Sequence, residues 1–285
     1  MFEFMSCFDL HSHTTCSDGV LTPQELITRA EVRHIDVLAI TDHDTTEALQ
    51  TAKAHIQSTN SKLKLVNGIE ISTKWHGFEI HIVGLCIDPS AEIFADSMVI
   101  QRQHRELRAL AVGEKLAKKG VEGAYERARE IAGSDIVSRT HFAKVLLERG
   151  VVANFDAAFK KYLGKGKSCY VSPNWMDIQT AVTIINQAGG LAVMAHPIRY
   201  DLSNKWLVKL VDHFAAVGGH GLEVGLSQMS PNQRTHLSNL ARERNLYSSQ
   251  GSDFHAPSKW GDLGKNLKLT DNCQPIWTHP RWRFA

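Results

Sequence analysis

Apolar and polar positions follow two different periods along the chain. Short runs of consecutive or alternating apolar residues are separated by stretches in which apolar residues recur every three or four positions. The short runs predict strands, and the longer period predicts amphipathic helices. Strands that alternate with helices are typical of parallel β/α units. We therefore expect an α/β fold with a barrel-like or doubly wound sheet.

The first 90 residues predict the order β-α-β-α-β-β. The sequence Thr22-Pro23-Gln24-Glu25 starts the first helix with a threonine cap, a proline in the first turn and a capping-box glutamate. Asp44 or Thr45 is the expected cap of the second helix. After residue 166, strands are expected at 168–172, 191–195, 221–225 and 246–251, with helices at 177–188, 203–216 and 231–244.

Between these two regions the apolar residues keep the helical period almost throughout residues 92–162. Glycines interrupt the pattern at Gly120, Gly133, Gly150 and Gly164, which indicates several short helices. We predict a small helical subdomain, residues 96–165, inserted into an α/β barrel formed by residues 1–95 and 166–285.

The charge of the chain is unevenly distributed. Residues 101–167 hold 15 Lys and Arg against 8 Asp and Glu, whereas the remainder holds 17 against 22. A basic segment within an acidic frame favours a polyanionic ligand. The alternative is a helical segment with a solvated, basic face.

Length and composition narrow the class of protein. A chain of 285 residues can bury a sizeable core, and no apolar run approaches the ~18 residues of a membrane helix, so we expect no membrane partner. The N-terminus has neither the basic nor the apolar region of a secretory signal. Five cysteines without a Cys-x-x-Cys pair do not favour disulfides or a cysteine zinc site. These features predict a cytoplasmic protein.

Ionisable side chains collect where the predicted strands end. His11 and His13 are two apart on a strand and face the same side, which suits one metal ion as well as an ordinary polar pair. Glu70 lies in an apolar strand and needs a cation or a donor. His81 is flanked by isoleucines and has the alternative of a satisfied core histidine. The other members of this set are Asp18, Asp42, His43, Asp44, His196, Asp253 and His255.

In α/β barrels the carboxyl ends of the strands build the active site. Without Asp42 and Asp44, this set offers nine nitrogen and oxygen ligands, which is more than one ion needs. Without sulfur ligands, such a site suits Zn²⁺, Mn²⁺ or Fe²⁺, and carboxylates favour the harder ions. Two or three such ions would polarise a phosphoryl or carbonyl oxygen and convert a bound water to hydroxide near neutral pH.

The series DLHSHTTCSDG, TDHDT, NGIEIS, EIHIVG, MAHP and GSDFHAP closely resembles the PHP (polymerase and histidinol phosphatase) family over nearly the whole chain. The resemblance implies a distorted (β/α)7 barrel with two to three divalent metal ions, Mn²⁺ before Zn²⁺, Fe²⁺ or Mg²⁺. Asp18 stands where many members have histidine. The implied ligands are His11, His13, Glu70 and Asp253 for one ion, Glu70, His81 and His196 for a second, and Asp18, His43 and His255 for a third.

Two arginine motifs resemble one branch of this family. The segments Ser138-Arg139-Thr140 and His196-Pro197-Ile198-Arg199 are similar to those of 3′,5′-bisphosphonucleotide phosphatases and the RNase AM-type 5′→3′ exoribonuclease. There the matching arginines bind a 5′ phosphate, which suits the guanidinium fork. The alternatives are a surface arginine for Arg139 and a partner of Asp201 for Arg199. Further candidates are Lys165 and Lys167 for steering a polyanion, and Trp175, Tyr200 and Trp260 for stacking on a base or, more simply, packing.

The resemblance implies a metal-dependent phosphoesterase. It would degrade 5′-phosphorylated single-stranded RNA from the 5′ end into mononucleotides, in RNA 5′-end maturation and short-RNA turnover, and would remove the 3′ phosphate of 3′,5′-bisphosphonucleotides. Asp253, His196 or His255 would move a proton. The alternatives are a small-molecule phosphatase without RNA activity, such as a histidinol-phosphate type, and a module without metals, which nine filled ligand positions disfavour. No obligate protein partner is evident.

Overall fold

The computed structural model describes residues 6–258 and 261–285. Strands and helices alternate at both ends of the chain, and helices alone fill the middle. The strands are β1 (Phe8–Asp9), β2 (Val37–Ile40), β3 (Lys64–Trp75), β4 (Phe78–Leu85), β5 (Met176–Asp177), β6 (Leu191–Met194), β7 (Gly221–Gly225) and β8 (Tyr247–Gln250). The helices are α1 (Pro23–Val32), α2 (Ala48–Thr59), α3 (Glu92–Ala117), α4 (Ala124–Ala132), α5 (Arg139–Glu148), α6 (Phe155–Ala158), α7 (Ile178–Gln187), α8 (Asn204–Ala216) and α9 (Pro231–Glu243).

The strands form one nearly closed sheet in the order β1-β2-β3-β4-β6-β7-β8, with β5 pairing alongside β3. Its two ends approach each other, because the Leu10 backbone N–H donates to the Gln250 carbonyl oxygen at 3.1 Å. The predicted barrel-like α/β fold is therefore confirmed.

The parallel β/α arrangement is interrupted at β4, which runs antiparallel to both β3 and β6. The cause is local. His76 and Gly77 join β3 to β4 with positive φ angles of 46° and 78°, the conformation that a two-residue hairpin loop needs. The chain thus reverses without a crossover helix, and the first half of β4 lies beside the second half of β3.

Two sequence expectations are wrong. The strand expected at 168–172 does not form, because this segment folds back on the helices: the Cys169 N–H donates to the Tyr162 carbonyl oxygen, and the Cys169 side chain is buried among them. Neither Asp44 nor Thr45 caps α2, which begins at Ala48. The capping box of α1 forms as predicted.

Helices α3 to α6 pack around an apolar core that includes Val112, Phe142 and Leu163. The first turns of α3 pack against a different core, since Phe94 and Met98 lie in the core that covers the sheet. One long helix thus joins the two cores, and the predicted boundary between residues 95 and 96 falls inside it. The helical subdomain stays a prediction. No helix in the described part of the chain is long and apolar enough to cross a membrane.

Candidate active site

The ionisable residues predicted to act together lie at one edge of the sheet. His11 and His13 follow β1, His43 follows β2, and the last pair, Asp253 and His255, follows β8. Glu70 and His81, by contrast, lie inside β3 and β4 rather than at strand ends. They reach the same edge because β3 extends beyond its neighbours and the antiparallel β4 brings its first half there.

Four of these residues form one compact group. The possible ligand atoms of His11, His13, Glu70 and Asp253 all lie within 4.8 Å of one another. His13 Nε2 is 3.3 Å from Glu70 Oε2 and 3.2 Å from Asp253 Oδ1. His11 Nε2 is 3.4 Å from each of the same two oxygens. The set that the resemblance implies for the first ion is therefore brought together.

The remaining candidates surround this group. Glu70 Oε1 lies 3.0 Å from both His81 Nδ1 and His196 Nε2, as the second implied set requires. On the other side, Asp18 Oδ1 is 3.2 Å from His255 Nε2 and 3.9 Å from His43 Nε2. His43 also faces Glu70, with 2.9 Å between its Nδ1 and Glu70 Oε2. All nine predicted residues thus belong to one continuous cluster, in which His43 stands between two sets.

Several buried polar atoms in this cluster have no hydrogen-bond partner. They include Asp18 Oδ1, Glu70 Oε2 and His43 Nδ1. The last two atoms are 2.9 Å apart without forming a hydrogen bond, so they do not satisfy each other. Leaving such groups buried and unpaired costs about 1–3 kcal/mol each, and more for a charged group. Oxygen and nitrogen donors that converge without hydrogen bonds are the donor set of a divalent cation.

The protonation states of Glu70, His43 and His196 agree with this fit. At His11 burial lowers the pKa, but Glu223 and Glu70 outweigh burial and raise that pKa to about 10, so this imidazole must lose a proton to act as a ligand. Burial raises the pKa of Glu70, but the nearby His43, His11 and His81 outweigh burial and hold that pKa well below its usual range. Burial lowers the pKa of His43 and of His196 to about 4. The carboxylate is therefore ionised and these two imidazoles are neutral at pH 7, and these are the forms that bind metals.

Glu223 belongs to the site, although the sequence analysis did not select it. It lies in β7, where its Oε1 is 2.8 Å from His11 Nδ1 and its Oε2 accepts the His196 backbone N–H at 2.5 Å. A carboxylate on one imidazole nitrogen orients the other nitrogen toward a metal. The signal was present in the sequence, since Glu223, like Glu70, is a lone charge in an apolar strand.

The backbone near the cluster is also specialised. His196 and Asp253 have positive φ angles of 29° and 52°, which side chains other than glycine adopt rarely and at a cost of order 1–3 kcal/mol. Gly251 allows the loop after β8 to approach closely, because a Cβ there would lie 2.3 Å from the Cβ of His11.

The two predicted phosphate-binding arginines line the same cavity of about 860 Å³ as the cluster. Arg199 forms an ion pair with Asp253, and its predicted alternative partner Asp201 is not used. Arg139 Nη2 lies 3.1 Å from Glu79 Oε2 and is 29 % exposed, so it is not a free surface side chain. Both guanidinium groups are thus held at the cavity by carboxylates.

Glu79 and Arg108 complete the arginine side of the cavity and were not predicted. Arg108 donates two hydrogen bonds to Glu79, at 2.9 and 3.1 Å, and the Tyr170 hydroxyl donates a third at 3.2 Å. Burial raises the pKa of Glu79, but Arg139 and Arg108 outweigh burial and lower it to about 2. Glu79 therefore stays ionised and holds two arginines in place.

The predicted stacking and steering residues have other contacts. Trp175 is 2 % exposed, and the guanidinium groups of Arg105 and Arg108 lie 5.0 and 5.4 Å from its ring. The Tyr200 hydroxyl accepts the His81 N–H and donates to the Ala195 carbonyl oxygen, both at 2.9 Å. Both aromatic side chains therefore pack within the wall. Lys165 donates to the Gly77 carbonyl oxygen at 2.8 Å, Lys167 is exposed, and Trp260 lies outside the described residues.

A model of the PHP domain matches residues 9–163, which is more than half of the chain. The chain belongs to the PHP domain family. The resemblance of its motifs is thereby confirmed, and the match continues through the helical segment as far as residue 163.

Several similar proteins match this chain over nearly its full length. The 5′-3′ exoribonuclease Rnm of Salmonella typhimurium is 47% identical over 95% of this chain and 92% of its own. The 3′,5′-nucleoside bisphosphate phosphatase of Chromobacterium violaceum is 40% identical over 96% of both chains. A solved structure described as an amidohydrolase from the same organism, with bound sulfate and no metal, has a TM-score of 0.90, 39% identity, and coverage of 96% of this chain and 95% of its own.

A further contact ties the helices to the barrel of this PHP chain. Arg105, in α3, donates to Asp44 Oδ2 and to Ser72 Oγ, the latter at 2.6 Å. Asp44 has a positive φ of 50°, and its Oδ1 accepts the Ser72 N–H at 2.9 Å. Because Asp44 follows His43 directly, this buried ion pair connects the helical segment to the loop that carries one of the candidate ligands.

Proposed function

We propose that this protein is a metal-dependent phosphoesterase that degrades 5′-phosphorylated RNA from the 5′ end into mononucleotides. It also removes the 3′ phosphate of 3′,5′-bisphosphonucleotides. The observation that carries the proposal is the single cavity in which a metal-ligand cluster faces two arginines. Both substrates place the bond to be cleaved one nucleotide away from a 5′ phosphate. The names of the relatives, an exoribonuclease and a bisphosphate phosphatase, support both activities.

Two to three divalent ions would occupy the cluster, with Mn²⁺ as the first choice and Zn²⁺, Fe²⁺ and Mg²⁺ as alternatives. When bound, such ions supply Lewis acidity and a water of lowered pKa. Glu70 would bridge two of the sites, because its two oxygens face different groups of imidazoles. The ligands would be His11, His13, Glu70 and Asp253 for one ion, Glu70, His81 and His196 for the next, and Asp18, His43 and His255 for the third.

Other side chains that line the cavity would bind the substrate and move the proton. Arg139 and Arg199 bind the 5′ phosphate and thereby set which bond lies over the cluster. The proton that the attacking water loses would pass to the leaving oxygen through Asp253, His196 or His255, all of which line the cavity. Release of one nucleotide creates a new 5′ phosphate, so the same contacts serve the next cycle.

The roles proposed for this activity are maturation of RNA 5′ ends and turnover of short RNA in the cytoplasm. The cytoplasmic location is supported by the cysteines, since all five are free. The partners are then single-stranded RNA and bisphosphonucleotides, with no membrane and no obligate protein partner.

The direct test uses Mn²⁺-loaded protein and two short RNAs that differ only in a 5′ phosphate or a 5′ hydroxyl, both labelled at the 3′ end. We expect the labelled fragments to shorten from the 5′ end, with the 5′-phosphorylated RNA preferred. Phosphate release from a bisphosphonucleotide without any RNA cleavage would contradict the exonuclease and leave a small-molecule phosphatase.

The arginines are tested by Arg199→Ala. Loss of a charge-assisted hydrogen bond is worth about 1.5–3 kcal/mol. We therefore expect KM for 5′-phosphorylated RNA to rise by roughly 10- to 150-fold, with little change for 5′-hydroxyl RNA. The exposed Arg242→Ala is the matched control. Equal losses on both RNAs would mean that Arg199 acts through its partner Asp253 and does not recognise the phosphate.

A further inference from the structure

One wall of the cavity is lined by apolar side chains to which the proposed function assigns no role. The helices contribute apolar side chains to this wall. Three of them are aromatic. Phe142, in α5, is 1 % exposed, whereas Phe155 and Phe159 belong to the short helix α6 and the turn of π-helix that follows it. The other apolar side chains of this wall are Ala109, Val112 and Val137.

Phe155 and Phe159 differ in how they are packed. Phe159 packs against the core of the helices, whereas Phe155 is 38 % exposed and is not a member of that core. Their ring centroids are 5.6 Å apart, with 44° between the ring planes. An anchored ring beside an open ring leaves an aromatic surface inside the cavity, and burying such a surface under a flat ligand is favourable.

The charges of the cavity indicate how a ligand would lie. The guanidinium groups of Arg139 and Arg199 attract a phosphate, whereas Asp156, which lines the cavity between the two phenylalanines in sequence, repels one. A carboxylate accepts hydrogen bonds from amino groups, which adenine, guanine and cytosine carry. A ligand with a phosphate at one end and a flat base at the other therefore matches the cavity in one orientation.

We propose that Phe155 and Phe159 form a stacking subsite for the base of the nucleotide whose 5′ phosphate the arginines hold. The inference rests on the proposed function for the orientation of the substrate. Stacking on aromatic side chains tolerates every base, since each base has a π face. This subsite gives an exonuclease a grip on successive nucleotides without a sequence requirement.

The subsite is tested by binding rather than turnover. The probes are adenosine 5′-monophosphate and ribose 5-phosphate, which differ only in the base, and calorimetry measures their Kd on Mn²⁺-loaded protein. Stacking on an aromatic side chain changes affinity by about 5- to 150-fold. We expect the wild-type protein to prefer adenosine 5′-monophosphate by a factor in this range. Phe155→Ala should reduce that preference toward one and leave the Kd for ribose 5-phosphate unchanged.

Two further variants separate stacking from packing. Phe155→Trp should keep the preference, whereas Phe155→Leu, which keeps an apolar side chain without a π face, should lose most of it. Phe284→Ala, at an exposed phenylalanine outside the cavity, is the control. Equal affinity of the wild-type protein for the two probes, or an equal weakening of both by Phe155→Ala, would overturn the subsite. A base preference in a protein that does not cleave RNA would support the subsite and contradict the exonuclease.

Discussion

The two walls of the cavity are built by opposite means. On the barrel wall, ligands from distant parts of the chain are fixed by buried strands, and His11, His13 and Glu70 are completely buried. On the helical wall, Arg139 and Phe155 keep 29 % and 38 % of their surface exposed. A buried ligand cannot move without disturbing the sheet, whereas an exposed side chain on a short helix can change without affecting the core. The barrel wall therefore carries the candidate metal ligands, whereas the side chains that we propose select the substrate are the exposed ones, Arg139 and Phe155 on the helices and Arg199 on the barrel.

The largest effect is expected on the barrel wall, for Glu70→Gln. The amide removes the charge that faces several imidazoles, and with it the proposed bridge between two ions. Each 1.36 kcal/mol of lost transition-state stabilisation is tenfold in rate, and metal catalysis supplies several kcal/mol. We expect kcat/KM to fall by roughly 10⁴-fold on RNA and on bisphosphonucleotides alike, measured together with metal content.

The control for Glu70→Gln is Glu31→Gln, at an exposed position, which should leave kcat/KM for both substrates unchanged. Normal metal content with a loss of activity on RNA alone would contradict the comparison, because Glu70 would then act on substrate selection.

The second-largest effect is expected for Arg105→Gln, which removes the ion pair with Asp44 that connects the helical wall to the barrel wall. Arg105 and Asp44 have only 7 % and 0 % of their side-chain surface exposed, so the variant leaves a carboxylate buried without its partner. Breaking a buried pair in this way costs about 3–5 kcal/mol. We expect the free energy of unfolding in urea to fall by that amount. A fall below 1 kcal/mol would mean that water reaches the Asp44 carboxylate and solvates it in place of Arg105.

The two walls also differ in how much of each could be predicted from the sequence. Glu70 could be selected because a charge among apolar residues needs a partner wherever the strand lies. The other eight candidate ligands could be selected because they lie at or near the ends of predicted strands and match the motifs of the PHP family. The antiparallel direction of β4 relative to β3 also follows from the predicted order β-β, because two neighbouring strands joined without a crossover helix cannot run parallel. Arg105 could not be distinguished from the many other basic residues, because its partner Asp44 is 61 positions away in the sequence. Phe155 has no sequence feature that separates it from a core residue.

A smaller effect on the barrel wall is expected for Glu223→Gln. The amide keeps the shape of the side chain but loses the charge that faces His11 Nδ1 at 2.8 Å. Such outer partners of metal ligands are typically worth 10- to 100-fold in metal affinity. We expect the Kd for Mn²⁺ to rise by a factor in this range, measured by competition with a chelator. An unchanged Kd would mean that the strands alone orient His11.

The smallest effect is expected for Arg102→Gln, three residues before Arg105 on the same helix. Arg102 Nη1 lies 3.2 Å from Glu47 Oε1, so this pair also joins α3 to the region after β2. Here, however, 34 % and 58 % of the two side chains are exposed. Exposed pairs contribute about 0–1 kcal/mol, and high salt screens them. We expect the free energy of unfolding to fall by less than about 1 kcal/mol, and the difference from wild type to vanish in 1 M NaCl. If Arg102→Gln destabilised the protein as much as Arg105→Gln, the number of contacts between α3 and the barrel, rather than the burial of one ion pair, would hold the two walls together.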